Sequence, residues 1–518
     1  MKNNYKSILS AFLFITILLI SGSIFAQRIV KVPQGVGTLN NTINGDTLAN
    51  GQRVDPNTIY ELARGGYYIT IGTISNSGYH LKIRAEEGGG KRPIIRPGVV
   101  GGGVSTIPFQ AKGDLTLDGV YVTNLDEQGA LLLQIIRLST DFINLTILNS
   151  HLDRSGQSAI RCDNKITSIT IKNSIVSNIG TMQSPDNGRV VDGRGQPIDN
   201  LVMENNTFYN ITHRVYRPDN GVVKYLWFNH NTTINMAHWG ISLGPVVEAH
   251  VRNNIFVNCG FLGRALTPAS TQFYVMIEAQ PITQAYIDLG YTQILKIHNN
   301  NFYMNPTLLS SLPSDRTPTP VFNDHAQAAV NAGGYGNTNT NLSVAFSAAP
   351  QVPVNVLTDY FNAAVTPKTD MDKGGGSPDY GKTQMPFIFT YPTSSPLYTA
   401  GTANQPLGDL NYFGIPVGVT NDQIIANDFQ LYSNYPNPFN PSTNIKYTLP
   451  VASNVKVEIF NMLGQLVNTL VNQHQQAGTY NTVWNGNDLN GNQVSTGVYI
   501  YKLSTDNFVS AKKMILVK

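Results

Sequence analysis

A six-residue pattern recurs through the middle of this chain: apolar, any, Asn, Asn or Ser, any, apolar. It reads Ile147-Leu148-Asn149-Ser150-His151-Leu152 and returns as Ile171-Lys172-Asn173-Ser174-Ile175-Val176. Four further copies begin at Met203, Phe228, Val251 and Ile297, and Leu117-Asp118-Gly119-Val120-Tyr121-Val122 is an earlier, weaker copy. Successive third positions lie 30, 24, 32, 25, 23 and 46 residues apart. Such a period is too long for a hairpin, and the segments lack helical periodicity. Stretches such as Ile143-Asn144-Leu145-Thr146-Ile147 alternate with a period of two, which predicts short strands. Three short strands per repeat, stacked in parallel, predict a β-helix of seven or eight rungs over residues 58–305.

The residue types suit such a ladder. Asn149, Asn173, Asn205 and Asn253 fall where a tight turn needs left-handed backbone, which Asn tolerates. Their amides can also bond to the rungs above and below. Phe208, Phe256 and Phe302 should stack inside, with Leu152, Val176 and Thr233 in the same column. These residues read as scaffold, not as a site. Cys162 and Cys259 should lie about three rungs apart, roughly 14 Å at strand spacing. That is too far for a disulfide, so two buried free thiols are expected.

This middle region resembles the right-handed parallel β-helix proteins of the pectate lyase superfamily, and the chondroitinase B and alginate lyase group within it. The repeats carry the likeness, with Ser158-Ala159-Ile160-Arg161 as an Arg-bearing strand. Ser395-Pro396-Leu397-Tyr398 and Pro406-Leu407-Gly408-Asp409-Leu410 match the way such domains end. The resemblance covers about residues 58–414 and implies fold more than activity. It also admits calcium as a cofactor. The sequence itself makes no cofactor evident, because Glu204, Asp219 and Glu248 fall on different rungs and form no cluster.

The ends read differently. Residues 1–26 combine Lys2 and Lys6, the apolar run Ile8–Ile20 and a small-residue stretch to Ala26, the pattern of a signal peptide. Residues 27–57 are expected as an N-terminal segment and cap, 306–414 as an excursion and return packing on the helix, and 415–427 as a linker. Residues 428–518 contain YPNPFNPST, FNMLGQLV, Trp484-Asn485-Gly486 and Gly497-Val498-Tyr499, ending in Lys512-Lys513-Met514. Short strands at this spacing predict a small sandwich. The module resembles the C-terminal sorting domain of the type IX secretion system, which implies that machinery as a partner. The expected fold is all-β: a right-handed parallel β-helix followed by a small immunoglobulin-like β-sandwich. The expected location is outside the cell or on its surface, as a monomer with no membrane-spanning segment in the mature chain.

Chemistry is less legible. Charged residues are only 13% of the chain and the formal net charge is +3. Residues 27–427 carry −1, which argues against a chain-wide grip on nucleic acid. Aligning the rungs on the Asn column and counting back gives three columns. One reads Arg137, Arg161, Asp192, Arg217, Ser242. A second reads Gln134, Ser158, Arg189, Arg214, Trp239, and a third Leu133, Gln157, Gly188, His213, His238. Stacked, they predict a surface patch of Arg, His, Asp and Trp. Neighbouring guanidiniums about 5 Å apart repel by about 0.8 kcal/mol in water. Asp192 between Arg161 and Arg217, or a bound carboxylate or sulfate, would offset this. Arg137, Arg161, Arg189, Asp192, Arg214, Arg217 and Trp239 are therefore candidates for binding an acidic polysaccharide, with Trp239 stacking on a sugar ring. Arg161, Arg217, His213 and His238 are candidates for β-elimination chemistry. The other reading is a non-catalytic surface or adhesion protein whose columns are salt-bridge ladders.

Overall fold

The computed structural model describes residues 27–99, 107–266, 274–362, 387–415, 430–432, 434, 437–449, 453–475, 478–506 and 508–517. The signal-peptide segment 1–26 and the linker from 416 onward lie outside them. The chain divides into two units, 1–412 and 413–518.

The first unit is a parallel β-helix. Among its described residues, three parallel sheets hold eleven, ten and six strands. The first positions of the sequence pattern form one register column: Leu117, Ile147, Ile171, Met203, Phe228, Val251 and Ile297. The sixth positions form another: Val122, Leu152, Val176, Phe208, Thr233, Phe256 and Phe302. Both columns point into one continuous core. The small Thr233 would leave a gap in the second column. Phe228 fills it from the first, stacking 6.0 Å from Phe208 and 6.0 Å from Phe256, and Phe256 then stacks 5.1 Å from Phe302. The ladder starts earlier than residue 58, since Ile29–Val32 already pairs with Ile59–Leu62. The excursion adds the helices Pro306–Ser310, Asp324–Ala332 and Val354–Phe361.

The turn after the first strand of each rung explains the Asn pattern. Gly119, Asn149, Asn173, Asn205, His230, Asn253 and Asn299 all have φ between 50° and 71°. Left-handed backbone is therefore required at every third position. Asn205 Nδ2 donates to Asn173 Oδ1 at 2.8 Å. The better-buried ladder is one residue on. Asn231 Nδ2 donates to the Met203 carbonyl at 2.9 Å, and Asn231 Oδ1 accepts from the Asn206 amide at 3.1 Å. Asn206, Asn254 and Asn300 repeat this arrangement. A second left-handed column escapes the sequence pattern: Arg154, Asn178, Asn210, Asn235 and Asn258, five residues further along. Its amides are also linked rung to rung.

Both thiols are free and buried. Cys162 ends a strand of the third sheet and Cys259 a strand of the second, so they are separated by face as well as by rung.

The second unit is a two-sheet antiparallel sandwich. One sheet holds 430–431, 443–449 and 478–484, the other 466–475, 453–461, 497–504 and 509–516. Alternation aims Val455, Val457 and Ile459 at a core with Trp484, Tyr447, Tyr501 and Met514. The strand Leu466–Gln475 is the least legible in sequence, because its polar Asn-Gln-His-Gln run hides the alternation. The Asn461–Gln465 turn joins it to its neighbour, with Asn461 Oδ1 accepting from the Leu463 and Gln465 amides.

Candidate functional site

Strands of the third sheet turn two consecutive apolar residues inward: Ile135-Ile136, Ala159-Ile160, Val190-Val191 and Val215-Tyr216. The polar residues flanking each pair leave the core in two columns. Gln134, Ser158, Arg189 and Arg214 are in register, as are Arg137, Arg161, Asp192 and Arg217. The Trp239 amide donates to the His213 carbonyl, and the His213 amide to that of Gly188, which continues the stack. Ser242 pairs with Glu278 on the next strand. The columns expected from sequence are thus brought together on one face.

They are not the open surface patch that was expected. Arg189, Asp192, His213, His238 and Trp239 are buried, while Arg137, Arg161, Arg214 and Arg217 are half-buried. The turn at 181–188 and the excursion cover this end of the face. Met182 packs with Ala237, Phe261, Leu262, Leu308, Val356 and Leu357, and Tyr274 and Val275 pack on Trp239. Trp239 is no free platform for a sugar either. The Arg214 guanidinium carbon lies 3.5 Å from its ring centre, and Tyr274 meets it edge-on at 4.5 Å.

The charges are paired differently from the expectation. Asp192 stands between Arg161 and Arg217 in its column, but it lies 3.5 Å from Arg189 and 3.8 Å from Arg217 and does not pair with Arg161. Arg161 turns to Asp163 at 2.9 Å, and Arg137 and Arg194 reach the same carboxylate. Arg217 also bonds Asp219 at 2.5 Å, and Arg214 Nη1 lies 3.8 Å from Glu278. Burial would raise the Asp163 carboxyl, but the hydrogen bonds from Arg137 and Arg161 prevail and hold it below its ordinary value. For Asp192 burial prevails and the pKa rises despite Arg189 and Arg217. Burial, with like charges from Arg189 and Arg217, brings Arg214 down to about 10 against the pull of Glu278.

At the covered end, three groups from successive rungs converge. His238 Nδ1 lies 2.9 Å from Asp186 Oδ1, and His213 Nε2 lies 3.7 Å from the same oxygen. Burial lowers both imidazole pKa values. For His213 the Arg214 charge adds to the effect, and for His238 Asp186 opposes it. Both rings are therefore neutral near pH 7. Asp163, Asp186, Glu278 and Tyr274 are missing from the sequence expectation. Asp186 left a signal there: the 32-residue step from Asn173 to Asn205 is longer than its neighbours, and the extra residues form the 181–188 turn.

Among the described residues, Asp186, His213 and His238 are the one group of His, Cys, Asp or Glu side chains placed to share an ion. It does not suit calcium, which takes six to eight oxygen ligands. A second buried network joins His151, Ser177, Asp153 and Tyr121. Ser177 Oγ bonds His151 Nε2 at 2.7 Å and donates to Asp153 Oδ1 at 2.6 Å. The carboxylate therefore orients the hydroxyl and not the imidazole, which is the wrong order for a hydrolytic triad. All four are buried.

Comparison with known proteins places only the C-terminal unit. Residues 440–507 match the FlgD Ig-like domain family. Two solved structures from Porphyromonas gingivalis are similar over a short stretch. One is dimeric latent PorU, at 24% identity and TM-score 0.15, covering 17% of this chain and 9% of that one. The other is PorZ, described as an essential bacterial surface component of the type-IX secretion system. It matches at 20% identity and TM-score 0.14, covering 17% of this chain and 11% of that one. The chain thus spans about a tenth of either solved protein. No curated protein matches. Among the described residues no helix is long and apolar enough to cross a membrane.

Proposed function

We propose that the third face of the β-helix recognises an acidic polysaccharide. Supporting this is the row of guanidiniums from Arg137, Arg161, Arg194 and Arg217. They remain partly exposed along successive rungs, on a region with a net charge of −1. Uronate carboxylates or sulfates repeating along a glycan can exchange with the protein carboxylates in the arginine forks. The burial of His213 and His238 favours recognition over β-elimination, because a base must touch the proton it removes. The second reading, a surface or adhesion protein without a dedicated glycan site, is favoured by the carboxylate partner that each of these arginines already has. One experiment separates the readings. The full chain is titrated with alginate, pectate and chondroitin sulfate while absorbance of unsaturated uronate is followed. Binding without new absorbance is expected, weakened about tenfold, or about 1.4 kcal/mol, by Arg217→Ala. New absorbance would instead assign a lyase. No binding to any of the three would defeat the proposal.

We further infer that residues 428–518 act as a sorting module for type IX secretion and that the chain is exported to the cell exterior or outer surface. Supporting this are the YPNPFNPST, FNMLGQLV and Lys512-Lys513-Met514 motifs on a compact sandwich. A reporter fused between residues 1–26 and 428–518 should appear outside a host that has this secretion system. Retention in the periplasm would overturn the inference.

A further inference from the structure

We propose that Asp186 Oδ1, His213 Nε2 and His238 Nδ1 hold a divalent transition-metal ion of the zinc class. The three ligands come from three successive rungs, so the stacking itself brings them to one point. Their ligand atoms all lie within 4.8 Å of one another. The 2.9 and 3.7 Å separations from Asp186 Oδ1 need only a few tenths of an ångström of adjustment around an ion with bonds of about 2.0–2.2 Å.

A second observation points the same way. His238 is 3% exposed, and its Nδ1 faces Asp186 Oδ1 at 2.9 Å without the alignment of a well-formed hydrogen bond. The two atoms approach off the line of a hydrogen bond, as two ligands facing a common point would. A poorly satisfied polar atom in a buried site is costly, and coordination would satisfy it. Two imidazoles and one carboxylate form a donor set suited to zinc, cobalt or nickel, in contrast to the oxygen cage of calcium.

Arg214 is the group that must yield. Its Nη2 lies 3.1 Å from His213 Nε2, and an arriving cation would repel it. Glu278, 3.8 Å from Arg214 Nη1, is the partner to which it would turn. Access runs past Asp186, whose side chain is 52% exposed while both histidines are buried. The bound ion would tie the 181–188 turn to the two following rungs. The site stands on the protein side chains alone and does not depend on glycan recognition.

The test uses the full chain without a histidine tag, stripped with chelator and titrated with zinc in the absence of any glycan. Cobalt serves as a spectroscopic probe. One equivalent of zinc should bind, unaffected by millimolar calcium, and cobalt should give visible absorption with imidazole coordination. Asp186→Ala, at an exposed position of the turn where folding should be preserved, should weaken zinc binding at least tenfold. His213→Gln with His238→Gln should abolish the cobalt spectrum. Failure to bind one equivalent, or binding unchanged by Asp186→Ala and by the double substitution, would overturn the proposal.

Discussion

Asn231→Ala is expected to destabilise the β-helix by about 3–6 kcal/mol, because it strands two or three buried polar groups at about 1–3 kcal/mol each. Asn231 is fully buried. Its Nδ2 satisfies the Met203 carbonyl, and its Oδ1 accepts both the Asn206 amide and the Asn206 side chain. Asn231→Ser should be intermediate, since Ser occupies this column in earlier rungs. There Ser174 Oγ accepts the Ser150 amide but spends its own proton on the Lys172 carbonyl. Asn149→Ala should cost only about 1–2 kcal/mol, the strain of a left-handed alanine, because Asn149 is exposed. Urea denaturation should rank the three variants in that order. An Asn231→Ala midpoint close to that of Asn149→Ala would mean that the fourth-position ladder does not carry the stack.

These examples show where sequence was informative. The third-position Asn pattern is visible because a backbone requirement, left-handed φ, restricts residue choice at every rung. The buried fourth position tolerates Asn or Ser, since either offers an acceptor to the amide of the rung before. Its importance therefore appears only with the hydrogen bonds in place. The Arg137–Arg161–Asp192–Arg217 column was legible because parallel stacking preserves spacing from rung to rung. Burial was not. It depends on residues 181–188 and on the excursion helices, which have no rung periodicity and so no place in a column. The pairing of Arg161 with Asp163 was also obscured, because attention to columns hides partners two residues along the same chain. Trp239 looked like a sugar platform because its covering groups were not legible as such: Tyr274 comes from outside the columns, and Arg214 folds onto the ring from the preceding rung.

The return segment supplies the second large effect, and its sign is opposite to that of most carboxylates. Asp409 is 3% exposed, and burial raises its pKa from 3.8 to about 7, against hydrogen bonds from Thr207 and Asn411. It clasps the return segment to the rungs. Thr207 Oγ1 donates to Asp409 Oδ2 at 2.7 Å, the Asp409 amide donates to Thr232 Oγ1 at 2.9 Å, and the Leu410 amide donates to Asn205 Oδ1 at 2.6 Å. A carboxyl whose folded pKa exceeds its unfolded value contributes most when both states are protonated, below about pH 3.8. The contribution then falls as pH rises and is gone above about pH 7, a loss of about 4 kcal/mol for three pKa units. Asp409→Asn keeps the shape of the clasp without the charge. Hydrogen exchange at the Asp409 and Leu410 amides should therefore be slower in Asp409→Asn than in the parent protein at pH 8, after correction for intrinsic rates. Near pH 4 the advantage should vanish. Changes elsewhere in the protein cancel in the difference between the two proteins, so the pH dependence of that difference reports Asp409 itself. A constant difference from pH 4 to pH 8 would show that the buried carboxyl does not change its protonation in this window and that the clasp is insensitive to pH.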